Sequence, residues 1–153
     1  MFDDKNDGLA VLKTLTDTLA DSVNGYRDAA QHVEGDEFRQ MFTELADERS
    51  QLLSDLQAEV TRLGGTADRD GSTLGVLHQR WLDFKAGITG RDDKAVINEV
   101  ERGEDYLKNK FETALDSDHL SGESRAVVER AYQSVRAGHD QISQLKHGLE
   151  ASA

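Results

Sequence analysis

The sequence predicts an all-α protein: a bundle of four long helices with one long connection between the second and the third. Three observations predict it. Apolar residues recur at alternating steps of three and four along four separate segments, the spacing that draws one stripe down a helix. The chain has 0 Pro, so nothing in it forces a long helix to break. Two of the three connections are short, and the third, from Gly64 to Asp93, is long and begins in a polar, glycine-containing stretch. At 153 residues the chain fits a single domain over residues 1–153.

The first segment carries Leu9, Leu12, Leu19, Val23, Tyr26 and Ala30, with Thr16 at the remaining step. His32 to Gly35 supplies a break, and Asp36 reads as the N-cap of the next helix. The second segment carries Phe38, Phe42, Leu45, Leu52, Leu56 and Leu63, and a charge, Arg49, fills one step of its stripe. Gly64-Gly65 ends it, because glycine takes the left-handed cap conformation without steric cost. Inside the long connection, Val76, Leu77, Trp81, Phe84 and Ile88 predict a short amphipathic helix, with Trp81 as its packing anchor.

Asp92 or Asp93 caps the third long segment, which carries Ile97, Val100, Leu107, Phe111 and Leu115, with Glu104 at the step between Val100 and Leu107. Asp116 to Gly122 forms a turn. The fourth segment carries Val128, Ala131, Val135, Gly138, Ile142, Leu145 and Leu149. Helices of roughly 25 residues are ~37 Å long. Short turns make each successive pair antiparallel, and the connection from Gly64 to Asp93 is long enough to travel the length of the bundle. Four helices with one long crossover are the ferritin-like arrangement.

The run from Leu77 to Lys85 (Leu-His-Gln-Arg-Trp-Leu-Asp-Phe-Lys), the run Thr89-Gly90-Arg91-Asp92-Asp93-Lys94-Ala95 and the run Glu101-Arg102-Gly103-Glu104-Asp105 resemble a bacterial family of unknown function. Gly25-Tyr26-Arg27-Asp28-Ala29-Ala30 and the pair His139-Asp140 resemble its pattern as well. The likeness extends from about Leu9 to about Leu145. It implies a ferritin-like four-helix bundle and supplies little about activity. Where members of that family carry an acidic residue just before the Gly-Tyr pair, Val23 stands in this chain.

Composition narrows the function. With 0 Cys there is no disulfide, thiolate metal site or cysteine nucleophile. Lys plus Arg number 18 against 30 Asp plus Glu, a formal net charge of −12. Phosphate binding needs clustered cations, so this balance argues against nucleic acid and anionic membrane surfaces as partners. The start of the chain lacks the basic and apolar runs of a secretory signal, and no apolar run is long enough to span a bilayer, so a cytoplasmic protein is expected. Gly64-Gly65 and the stretch Gly87 to Gly90 do not match a phosphate loop, and no nucleophile elbow is present.

The candidate site lies halfway down the bundle. Di-iron carboxylate bundles take one Glu from each of two helices and Glu-x-x-His from each of the other two. Here the first helix offers Val23 and Asn24, the second Glu48-Arg49-Ser50-Gln51, the third Glu101 and Glu104, and the fourth Arg136-Ala137-Gly138-His139. That set lacks the first-helix carboxylate, the second-helix His and the fourth-helix Glu, and Arg49 and Arg136 add positive charge. What remains is Glu48, Glu104 and His139, two carboxylates and an imidazole that would hold a single Fe, Mn or Zn ion with water completing the shell. The competing reading is a buried polar cluster in which Glu48 or Glu104 pairs with Arg49, and His139 is satisfied by a carboxylate or by the Tyr26 hydroxyl. The sequence does not decide whether Glu48 or Arg49 faces inward.

The function that follows first is a non-catalytic bundle, a stress-associated or interaction protein with no catalytic residue and no cofactor. The alternatives are a metal-binding bundle using Glu48, Glu104 and His139, and a homodimerising helical adaptor. For the adaptor, Val11 and Leu15 on the first helix and Leu53 and Val60 on the second lie beside the main stripes, where they either widen the core or form the contact.

Overall fold

A computed structural model of the chain describes residues 4–65, 93–120 and 122–151. They form four helices, α1 (Asp4–His32), α2 (Asp36–Arg62), α3 (Asp93–Asp116) and α4 (Gly122–Ala151), with no strand among the described residues. The all-α four-helix reading therefore holds. The short helix expected around Trp81, and His78 with it, lie outside the described residues. No helix among the described residues is long and apolar enough to cross a membrane.

Cross-links at the two ends fix the chain directions. Asp93, at the start of α3, accepts the backbone N–H groups of Glu34 and Gly35 in the α1–α2 turn at 2.7 and 3.0 Å. At the other end Ser124, in the first turn of α4, donates to Glu59 near the end of α2 at 2.5 Å. Lys146, late in α4, donates to Glu101, early in α3, at 2.8 Å. So α1 and α4 run one way and α2 and α3 the other. The neighbouring pairs α1–α2, α3–α4, α1–α3 and α2–α4 are all antiparallel. The end of α2 and the start of α3 lie at opposite ends of the bundle, which is why the connection between them has to be long.

The turns show why the helices stop where they do. Gly64 has φ +88°, and the N–H groups of Gly64 and Gly65 bond the carbonyls of Thr61 and Val60 at 2.9 Å each. This pair of bonds is a Schellman cap closing α2. The start of α2 differs from expectation. The N-cap is Gly35, with no side-chain cap bond, and Asp36 is already helical and pairs with Arg39 at 2.5 Å. The side chain that satisfies this turn is Asp93, which arrives from another helix.

The core follows the stripes with one shift of a residue. On α1, Leu12, Leu15, Leu19, Val23 and Tyr26 are buried, and Leu15 takes the place expected for Thr16. Thr16 is half-buried and turns its hydroxyl to the Lys13 carbonyl at 2.8 Å. Leu15 and Val60 are buried, and Val11 and Leu53 are partly buried and pack against the core, so these four residues widen the interior.

The buried apolar residues fall into two groups. One, around Tyr26, Phe42, Ile97 and Ile142, fills the end near the α1–α2 turn. The other, around Leu12, Leu56, Phe111 and Val128, fills the end near the start of α1. Each large side chain fully buried there contributes about 1.5–3 kcal/mol.

Candidate functional site

Between the two apolar groups lies a layer of polar side chains. Helices α1, α2 and α3 supply its side chains, and α4 closes over it with a glycine. Ser22 and Tyr26 stand one turn apart on the inner face of α1. Arg49 sits at the stripe step between Leu45 and Leu52 on α2. Glu104 sits at the step between Val100 and Leu107 on α3. Gly138 is the stripe position of α4. Ser22, Tyr26, Arg49 and Glu104 are each 0% exposed.

The geometry is that of a forked ion pair. Arg49 Nη1 lies 2.8 Å from Glu104 Oε1, and Nη2 donates to Oε2 at 2.8 Å. Two parallel contacts between planar groups make the strongest form of this pairing. The Tyr26 hydroxyl donates a hydrogen bond to Glu104 Oε1. Arg49 Nη1 also donates to Ser22 Oγ at 2.9 Å. The guanidinium carbon stands 5.5 Å from the centre of the Tyr26 ring, a cation–π distance. The Tyr26 ring in turn packs on Phe42 at 5.8 Å.

Gly138 completes the enclosure by what it lacks. A Cβ there would stand 2.6 Å from Arg49 Nη2. Only a bare backbone lets α4 close over the guanidinium.

Burial disfavours the charged guanidinium, but Glu104 beside it outweighs this and holds Arg49 protonated, with its pKa above the ordinary value. Burial first, and the Glu104 charge second, push the Tyr26 hydroxyl well above its ordinary value, so it keeps the proton it donates. Two charges taken out of water together and forked onto each other leave the layer neutral.

The three residues expected to hold a metal are not brought together. Glu104 is the buried carboxylate just described. Glu48 is exposed, and its carboxylate accepts a hydrogen bond from Ser134 on α4. A step of one residue turns a helix by about 100°, so with Arg49 facing in, Glu48 faces out. His139 stands at the α3–α4 seam, its Nε2 at 2.6 Å from Asp105 Oδ1 and its Nδ1 at 3.3 Å from Asp140 Oδ1. Burial lowers the pKa of this imidazole, and the bonds to Asp105 and Asp140 overcome that and raise it above 6.5. Among the described residues, no three His, Asp or Glu side chains gather as a metal would require.

The donors do not fit an ion either. Both oxygens of Glu104 are engaged, and a guanidinium fills the space in front of them. The competing reading of the sequence describes the arrangement: Glu104 is paired with Arg49, and His139 is satisfied by a carboxylate. Arg136 is exposed and takes no part in the layer.

Sequence reasoning missed three participants. Ser22 lies one position off the α1 stripe, and a serine beside an apolar stripe carries little signal. Asp105 and Ser134 are surface residues until their partners are known. Arg49, Glu104 and Gly138 did carry a signal, since each interrupts or thins its own stripe near mid-helix.

The fold and this layer define a four-helix bundle closed at its centre by an internal ion pair. The chain belongs to the family described as Domain of unknown function (DUF2383), whose family model matches residues 7–117. That match takes in all but the first three residues of α1, together with α2 and α3, and with them Ser22, Tyr26, Arg49 and Glu104. No curated protein matches the chain.

Proposed function

We propose that the protein is a non-catalytic bundle of ferritin-like chain order, an interaction or scaffold module in which the Arg49–Glu104 pair takes the central position that metal ions hold in di-iron bundles. The observation that carries this reading is the fully buried fork of Arg49 onto Glu104, with the Tyr26 hydroxyl on the same carboxylate. An ion approaching the Glu104 carboxylate has to displace the guanidinium forked onto both its oxygens. That means leaving a guanidinium unpaired in a dry interior, where one unpaired charge costs about 3–5 kcal/mol. A catalytic group also has to meet a substrate, and all four side chains of the layer are sealed from solvent.

Thermal melting of the purified chain with and without Fe(II), Mn(II) and Zn(II) tests this. A ligand that binds the folded state raises the apparent stability. The reading predicts the same Tm with and without excess metal. A metal-dependent rise in Tm that disappears in Glu104→Gln contradicts it.

A further inference from the structure

We infer that the pocket formed by Ser22, Tyr26 and Glu104 is a cation-binding site that the chain fills with its own Arg49 guanidinium, and that truncating Arg49 frees it to take a small guanidinium-class cation from solution. This rests on the reading that the ion pair closes the centre of the bundle.

Four observations carry it. The pocket holds the head group rather than the stem, because every hydrogen bond runs to Nη1 or Nη2 and Arg49 Nε, also buried, has no hydrogen-bond partner. A small alkylguanidinium presents the same two nitrogens. The recognition is planar, with a carboxylate fork on the edge and an aromatic ring 5.5 Å from the guanidinium carbon. The α4 wall is shaped to the same head group, since a Cβ at Gly138 would stand 2.6 Å from Nη2. Finally, the demand for a cation is built in. Without Arg49, the Glu104 carboxylate is fully buried with the Tyr26 hydroxyl as its remaining partner, and a cation forked onto it restores what burial takes away.

The pocket favours this class over a compact divalent ion for a chemical reason. It supplies one carboxylate, the Ser22 hydroxyl oxygen and the face of the Tyr26 ring, which is few anionic oxygens for a divalent cation but suits the edge and face of a planar guanidinium.

The test uses the full chain with Arg49→Ala, melted against increasing ethylguanidinium at low millimolar concentration, far below denaturing levels. Wild type and the double variant Arg49→Ala with Glu104→Gln are melted alongside. The expected result is a Tm for Arg49→Ala that starts below wild type and climbs with the logarithm of ethylguanidinium concentration, while wild type and the double variant show no such climb. If Arg49→Ala does not fold unaided, the same titration is read as recovery of helical circular dichroism on refolding, again against the double variant. No climb and no recovery overturns the inference, and so does an equal climb in the double variant. A response of Arg49→Ala to Mn(II) with none to ethylguanidinium overturns it as well. These results are distinct from a metal response of the wild type, which bears on the function proposed above.

Discussion

Gly138 and Gly148 share a helix but not an environment, and the difference separates packing from propensity. A Cβ at Gly138 meets Arg49 Nη2 at 2.6 Å, and that nitrogen is pinned by the buried fork, whereas a Cβ at Gly148 meets nothing within 4 Å. Gly138→Ala gains about 1 kcal/mol of helix propensity but overpacks at a cost of about 1–3 kcal/mol, so urea unfolding should show a net loss on the order of 1 kcal/mol. Gly148→Ala should gain about 0.5 kcal/mol on the same measurement. His139 adds a pH-dependent contribution. Its folded pKa is raised above 6.5, with Asp105 and Glu104 facing it from α3 and Asp140 beside it on α4. A raised folded pKa means its stabilisation is fully present below the unfolded value and is lost as pH rises through the folded value. The stability difference between wild type and His139→Gln should therefore shrink as pH is raised from below 6.5 into the alkaline range. Tm measured against pH for the two proteins checks this, and a difference that grows with pH contradicts it. At this scale the sequence was only partly readable. Glu48 and Arg49 are neighbours on one stripe edge, and periodicity cannot tell which of two adjacent polar residues turns inward. The decision belongs to Glu104, which offers Arg49 a partner and would offer Glu48 only repulsion.

The helices themselves were readable because each carries its own apolar stripe, and the glycine that ends α2 adopts the backbone angle its residue type favours. Their starts were less so. Asp36 has the chemistry of an N-cap and the position of one, yet the turn is held by Asp93, nearly sixty residues away along the chain. Local pattern cannot reveal a cap supplied from another element. The consequence is measurable. Asp93→Ala removes a carboxylate that accepts two backbone N–H groups and should cost about 1–3 kcal/mol in chemical denaturation. Asp36→Ala removes a pair whose carboxylate is 96% exposed and should have little effect. Equal losses for the two would contradict the assignment. The one-residue shift from Thr16 to Leu15 on α1 has a similar origin. A helix stripe is wide enough to admit either, and burial selects the side chain with more apolar surface.

Across the whole molecule, the polar layer divides the core into two apolar halves and sets how the four helices register against one another. Arg49 on α2 meets Glu104 on α3 and Ser22 on α1, with α4 closing over it at Gly138, so sliding any helix along its axis breaks the layer. A buried ion pair of this kind is weak evidence for stability and stronger evidence for register. Removing one partner should be costly, about 3–5 kcal/mol for Arg49→Ala. Replacing the layer together, with Arg49→Met, Glu104→Leu and Tyr26→Phe, should come out near neutral or stabilising, read by the same unfolding experiment. The sequence announced that charged residues stood in the stripes, but whether they would gather an ion or neutralise each other depended on helix rotation, which no single stripe encodes. The central claim is that Arg49 and Glu104 act as one unit. A double-mutant cycle of Arg49→Ala and Glu104→Ala, measured by urea unfolding, tests it most directly. The structure predicts a coupling of about 2–3 kcal/mol, with the double variant far less destabilised than the sum of the singles. Additive losses, with a coupling near zero, would contradict it.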